Sequence, residues 1–173
     1  MNQFDTILVP LDESLQDEVA IPAALDEALR HNARMVLLYV IERPETPPTH
    51  PSHGGPIPVS ATHQDEEFLR ERDAARSYLQ QIQHRHHLFA NVELCIRHGD
   101  PVRQIELEAK TRKRPLVIMA IAQIQQDGAD AQFERVTRLV HQAKCQLLLV
   151  NPTLPTRRNS ASIPREYIAP ANA

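Results

Sequence analysis

Glycine is scarce in this chain, with four among 173 residues, at Gly54, Gly55, Gly99 and Gly128. None of them belongs to a Walker loop, and no nucleophile elbow, metallohydrolase motif or Cys/His pair of recognisable spacing occurs. No catalytic residue is assigned, and an enzyme is not expected. Cysteine is nearly absent too: Cys95 and Cys145 stand alone in apolar strand contexts, with no CxxC. A disulfide framework is excluded, and two buried free thiols in a reducing compartment are expected. There is no basic excess, with 19 Lys and Arg against 22 Asp and Glu. Nothing would neutralise a phosphate backbone, so nucleic acid is not an expected partner. Long apolar runs are missing, so no membrane insertion is expected. The start MNQFDTILVP has neither the basic stretch nor the cleavage site of a signal peptide, and a cytoplasmic location follows as the expectation.

What is present is an alternation of short apolar runs and amphipathic stretches. The composition, 42% hydrophobic and 24% charged, suits one domain with a single core. Thr6–Pro10 (TILVP) reads as a first strand. An acidic helix start follows (Asp12, Glu13, Asp17, Glu18), favourable at the positive end of a helix dipole. That helix reaches about His31, with a small-residue face of Val19, Ala20, Ala23, Ala24 and Ala28. Pro22 inside it predicts a late start or a kink. Arg34–Ile41 (RMVLLYVI) is a second strand, giving a βαβ unit with parallel strands.

The period of 3.6 returns from about Gln64 to His86, with Phe68, Ala75, Leu79 and Ile82 on one face. Ala90–Arg97 (ANVELCIR) alternates as a third strand. His98-Gly99-Asp100-Pro101 then starts a helix, with Asp as N-cap and Pro at the first position, and Val102, Ile105 and Ala109 on its buried face. Leu116–Ile121, a helix from about Asp130 to Ala143, and Gln146–Val150 complete the series. Both of these last strands are unbroken apolar runs, as suits a parallel sheet covered on both faces.

Two stretches break the pattern. The segment Pro44–His63 holds six prolines, Gly54–Gly55 and three histidines, and reads as a long loop within a domain spanning 1–152. Residues 153–173 carry three more prolines and little apolar content, and read as a tail, with at most Ile163, Tyr167 and Ile168 docking. The histidines (His50, His53, His63, His84, His86, His87) raise a metal reading. No Cys or acidic cluster joins them at ligand spacing, and His86 and His87 would point to different helix faces, so no metal site is assigned. Ser160, in RRNSAS, is a phosphorylation-like match of a kind common by chance.

Five strands and four helices in strict alternation predict an α/β fold with an open parallel sheet and helices on both faces. Four stretches then carry a resemblance: ILVPLD at Ile7–Asp12, RHGDP at Arg97–Pro101, LVIMA at Leu116–Ala120 and AKCQLLLVNP at Ala143–Pro152. Their order and spacing resemble the universal stress protein (UspA-like) family from about Phe4 to Pro152. The resemblance implies a Rossmann-like sheet of the adenine nucleotide alpha hydrolase-like kind, with strand order 3-2-1-4-5. A ligand crevice would lie outside the carboxyl ends of the first and fourth strands.

In nucleotide-binding members of the family, an Asp after the first strand meets adenosine. A loop of pattern Gly, two residues, Gly, nine residues, Gly, Ser/Thr wraps the phosphates, where glycine admits close approach and positive φ. In this chain those four positions are Ala120, Gln123, Phe133 and Glu134, so every one is lost. Phe133 would bring bulk, and Glu134 an anion, to a place made for phosphate. Gly128, in QQDGAD, looks like an ordinary turn. The adenosine half survives as a candidate: Pro10, Asp12, Val40, Met119 and Ala120, with Asp12 also readable as a mere helix-start acid.

The last strand, Gln146–Leu147–Leu148–Leu149–Val150, would be an apolar sheet edge. Edges of that type need a cover, and pairing with a second copy about a two-fold axis supplies one. Family members are similar homodimers, so a homodimer is expected. The leading expectation is a non-catalytic stress-response or regulatory protein that does not bind ATP, has no cofactor and works through protein partners. The alternative is a sensor of AMP, a cyclic nucleotide or another adenosine-like ligand. A nucleotide hydrolase is a weaker third, since the phosphate loop is missing.

Overall fold

A computed structural model describes residues 3–12, 17–42, 60–88, 91–121, 129–142 and 145–151. The tail 153–173 and most of the expected loop 44–63 lie outside the described residues. In chain order the elements are β1 (Thr6–Leu11), a 3-10 turn (Asp17–Val19), α1 (Ala20–His31), β2 (Arg34–Ile41), α2 (Ser60–Arg85), β3 (Val92–His98), α3 (Pro101–Thr111), β4 (Pro115–Ala120), α4 (Ala129–Gln142) and β5 (Gln146–Val150). The five strands form one sheet in the order β3-β2-β1-β4-β5, and every pairing is parallel. That is the order the resemblance implied.

Period-two alternation along the strands builds two cores. Ile7, Val9 and Leu11 of β1, with Met35 and Leu37 of β2, face Ala20, Ile21, Ala24 and Ala28 of α1 and Leu79 and Ile82 of α2. Leu8, Val36, Leu38, Val117 and Met119 face the other way, onto Val102, Ile105 and Ala109 of α3 and Val136 and Leu139 of α4. The helices therefore cover both faces of the sheet.

Local chemistry sets the helix ends. Pro22 is the third residue of α1, where its missing N–H costs nothing because the first turn has no intrahelical acceptors to offer. The late start expected from Pro22 is observed. Asn32 ends the helix at φ 50, a left-handed position that asparagine tolerates. At the start of α3, Gly99 takes φ +119, Asp100 accepts a hydrogen bond of 2.9 Å from the Arg103 amide, and Pro101 occupies the first turn.

Three expectations need correction. Helix α2 begins at Ser60, so the last four residues assigned to the loop are helical; their polar sequence has no period to announce it. The same helix ends at Arg85, and His86 and His87 sit in the turn beyond it, His87 at φ 55. The two therefore do not occupy opposite helix faces, and His86 instead meets Glu18 at 3.4 Å. Asp12 precedes Ala20 by eight residues and α1 has no acid in its first turn, so Asp12 is not a helix-start acid.

Candidate functional site

The site forms where β1 and β4 part. Their pairing runs Thr6↔Pro115, Ile7↔Leu116 and Leu8↔Val117, whereas β1 stays paired with β2 as far as Leu11↔Tyr39. Beyond Leu8 the two strands diverge, and Pro10 brings no N–H to a ladder there. In an open α/β sheet this is the point at which strand order reverses, and a crevice outside the carboxyl ends is the geometric consequence. The crevice is lined by Pro10, Leu11 and Asp12 from β1 and the residue after it, and by Leu38, Val40 and Glu42 from β2 and its end. Pro101 and Ile105 of α3, Met119 of β4 and Arg135 of α4 complete it.

Four of the five residues named for an adenosine half-site, Pro10, Asp12, Val40 and Met119, are thus brought together. Ala120 is not among them. It is buried with Leu116 and Ile118 in the core facing α1, because adjacent residues of a strand point to opposite faces and Met119 already faces the crevice. Of the four phosphate-loop positions, Gln123 and the side chain of Phe133 lie outside the described residues, while Glu134 is exposed on α4.

Reading the sequence left Arg135 unnoticed. Its guanidinium crosses the crevice mouth, with Nη1 donating to Asp12 Oδ2 at 3.2 Å and Nη2 donating to the Glu42 carboxylate. One turn on, Arg138 makes a two-pronged contact with Asp100, at 3.0 and 3.1 Å. Burial works to raise the Asp100 pKa, but the Arg103 amide and the Arg138 guanidinium outweigh it and hold the carboxyl below its ordinary range. Residues three apart share a helix face, so α4 ties itself by two arginines to the ends of three strands. The cavity left beneath Arg135 is about 30 Å3, an order of magnitude below the roughly 300 Å3 at which small-molecule pockets begin.

At the far edge, β5 is thinly covered: Leu148 and Leu149 are 37% and 36% exposed, and Val140 of α4 is 60% exposed. Beside them Val117, Leu139, Val140, Cys145, Leu147 and Leu149 line an apolar groove of about 260 Å3. Both cysteines are free; Cys95 is buried as expected, whereas Cys145 is only half-buried and opens on this groove. Burial first of all pushes both thiols up from their ordinary pKa, which leaves them poorly nucleophilic. Among the described residues no three His, Cys, Asp or Glu side chains gather as metal ligands, and no helix is long and apolar enough to cross a membrane.

The fold has solved counterparts. Universal stress protein UspA from Lactobacillus plantarum is 24% identical, with 85% of this chain and 97% of that one covered and a TM-score of 0.56. The hypothetical protein MJ0577 is 16% identical over 88% of this chain and 99% of its own, at a TM-score of 0.64. A universal stress protein solved in complex with cAMP is 17% identical over 85% and 96%, at 0.51. These identities speak for the fold alone. No curated protein matches the chain. The sequence profile of the universal stress protein family, however, matches residues 3–151, from the residues before β1 to the end of β5. With that match over the whole sheet, the chain belongs to the universal stress protein family.

Proposed function

We propose that this chain is a non-catalytic regulatory member of its family that does not take ATP and acts as a cytoplasmic homodimer on protein partners. The observation that carries the reading is the occupied crevice mouth. Asp12, the residue that would meet a nucleoside, is engaged by Arg135, and so is Glu42. Two carboxylates, Asp12 and Glu42, stand at the entrance, and Glu134 adds another nearby in sequence. A triphosphate arriving there meets repulsion where glycine amides are needed. The homodimer rests on β5, whose Leu148 and Leu149 are exposed on an edge that no described strand covers.

The test is a thermal-shift titration with ATP, AMP and cyclic dinucleotides, together with mass spectrometry of anything released on denaturation. A ligand at a hundred times its dissociation constant stabilises a fold by about 2.7 kcal/mol, a shift of several degrees. The reading expects no shift with ATP and no released nucleotide. Sedimentation at micromolar concentration checks the dimer, and a monomer there removes it.

A second reading is favoured by one observation, the convergence of Pro10, Val40, Met119 and Asp12 on a single apolar slot. It makes the chain a sensor of AMP, a cyclic nucleotide or another adenosine-like ligand, and a family member solved with cAMP lends it support. A saturable shift with AMP that Asp12→Ala abolishes would establish it.

A further inference from the structure

We propose that the chain's own C-terminal segment covers the apolar groove between α4 and β5, with Ile163, Tyr167 and Ile168 as its anchors.

The groove exists because the sheet ends beneath α4. Val136, Leu139 and Val140 are spaced to form one helical stripe. The first two are 6% and 2% exposed, whereas Val140 is 60% exposed. Among the described residues no strand lies beyond β5, so the stripe runs out of sheet before it runs out of apolar side chains. On the strand side, Cys145, Leu147 and Leu149 alternate and turn to the same face. With Leu139 and Val140 they line a space of about 260 Å3. That falls short of the roughly 300 Å3 at which small-molecule pockets begin. It suits a few apolar side chains.

The length and course of the chain name the occupant. Strand β5 ends at Val150, next to Leu149 of the groove. The 22 residues from Pro152 to Ala173 follow, outside the described residues. Their sequence has four large apolar side chains, Leu154, Ile163, Tyr167 and Ile168, and the last three fall within six residues. From Cys145 to Leu149 the strand covers roughly 13 Å. The link from Asn151 to Ile163 spans up to about 40 Å, so the anchors reach every part of the groove. Burying them against Val140 and Leu149 offsets the entropy of ordering the link.

Tethering decides between candidate occupants. A segment on a short linker presents itself at roughly millimolar concentration, which a separate molecule in dilute solution does not match. A second copy paired along β5 would add its strand in the plane of the sheet. The groove lies above that plane, so a covered groove and the proposed homodimer do not exclude each other.

The two cysteines provide the readout. Cys145 opens on the groove, and Cys95, 6% exposed in the core facing α3 and α4, is an internal reference. In full-length protein, maleimide labelling of each is followed by peptide mass spectrometry. Ile163→Asp combined with Ile168→Asp is expected to speed labelling of Cys145 severalfold and leave Cys95 unchanged, whatever the protein concentration. A Cys145 rate that ignores these substitutions overturns the proposal. If that rate also falls as protein concentration rises, the second copy is the occupant.

Proximity is read separately, from Ile163→Cys under mild oxidation. A bridge to Cys145 within one chain is expected, forming faster than the bridge from Ala171→Cys, which is tethered as well but lies beyond the anchors. Equal rates from the two positions overturn the anchoring. A bridge formed chiefly between two chains gives the groove to the partner's tail and overturns the assignment to the chain's own. Should the tail substitutions speed labelling of Cys95 as well, the fold has loosened and the bridge decides.

Discussion

The sheet has two edge strands, and they are finished in opposite ways. At one edge β3 carries Glu93 and Arg97, and α3 brings Glu108 and Arg112 over it. Glu108, only 4% exposed, accepts from Arg97 Nε at 2.5 Å and from Arg112 Nη2 at 3.0 Å, and Arg112 Nη1 donates to Glu93 at 2.7 Å. At the other edge β5 is QLLLV, with no charge between Gln146 and Val150. Charges along an edge strand discourage a neighbour from pairing; an apolar strand with free N–H and C=O groups invites one. One edge is closed within the chain, and the other carries nothing between Gln146 and Val150 that would turn a neighbour away.

The sharpest way to break that contrast is to give β5 the character of β3. Replacing Leu148 and Leu149 together by Lys puts like charges across the proposed two-fold interface and removes four leucines from it. The expected loss is about 4 kcal/mol of association, a rise of roughly a thousandfold in the dimer dissociation constant, read by sedimentation. The monomer fold should be nearly untouched, because both side chains are already more than a third exposed. A double variant that remains dimeric at micromolar concentration would place the interface elsewhere.

The next effect lies at β3. Glu108→Ala leaves two guanidinium groups against a buried hole and breaks a nearly buried pair, which costs about 3 kcal/mol of folding stability, measured by urea unfolding. Dimerisation should be unchanged, since the two edges are separated by three strands. Loss of both together would mean that the edges are not independent.

Acid sharpens the same distinction without mutation. The Glu93 carboxyl lies below its ordinary value of 4.5, chiefly through its hydrogen bond from Arg112, with burial opposing. A carboxyl lowered in the folded state contributes stability that is complete above its unfolded pKa and is lost as pH falls through the folded one. Urea stability is therefore expected to be flat from neutrality down to about pH 5 and to fall below pH 4.5. The β5 interface has no carboxylate between Gln146 and Val150, so the dimer constant should hold through the flat range.

Much of this was legible in the sequence because it is local. The bounds of β2 and β5 follow from unbroken apolar runs, Pro22 announces the late start of α1, and Asp100-Pro101 announces α3. Pro10, Asp12, Val40 and Met119 fall at strand ends that the strand order brings together. What escaped depends on distance. Arg135 meets Asp12 across 123 residues and Glu42 across 93, and no local pattern reports a pair of that kind. The one available signal was two arginines three apart on α4, a spacing that puts both on one helix face. Ala120 falls outside the crevice for a local reason, since it lies beside Leu116 and Ile118 in the core facing α1 while Met119 lines the crevice.

The smallest expected effect tests whether charge at the β3 edge acts by number or by burial. Lys110 and Glu106 form an i,i+4 pair at 2.6 Å on the outer side of α3, where Lys110 is more than half exposed. Two residues away Arg112 joins the same helix to β3, largely shielded from water and gripping both Glu93 and Glu108. Counted as ion pairs the two are alike. Water screens the first and much less the second, and a pair on a helix surface contributes about 0.3 kcal/mol. Lys110→Ala should therefore shift the urea midpoint barely beyond error, and 1 M salt should erase the shift. Glu108→Ala should keep most of its cost in that salt. If the two variants lost comparable stability, or lost it with the same salt dependence, the β3 edge would owe its closure to surface charge in general rather than to one buried carboxylate between two arginines.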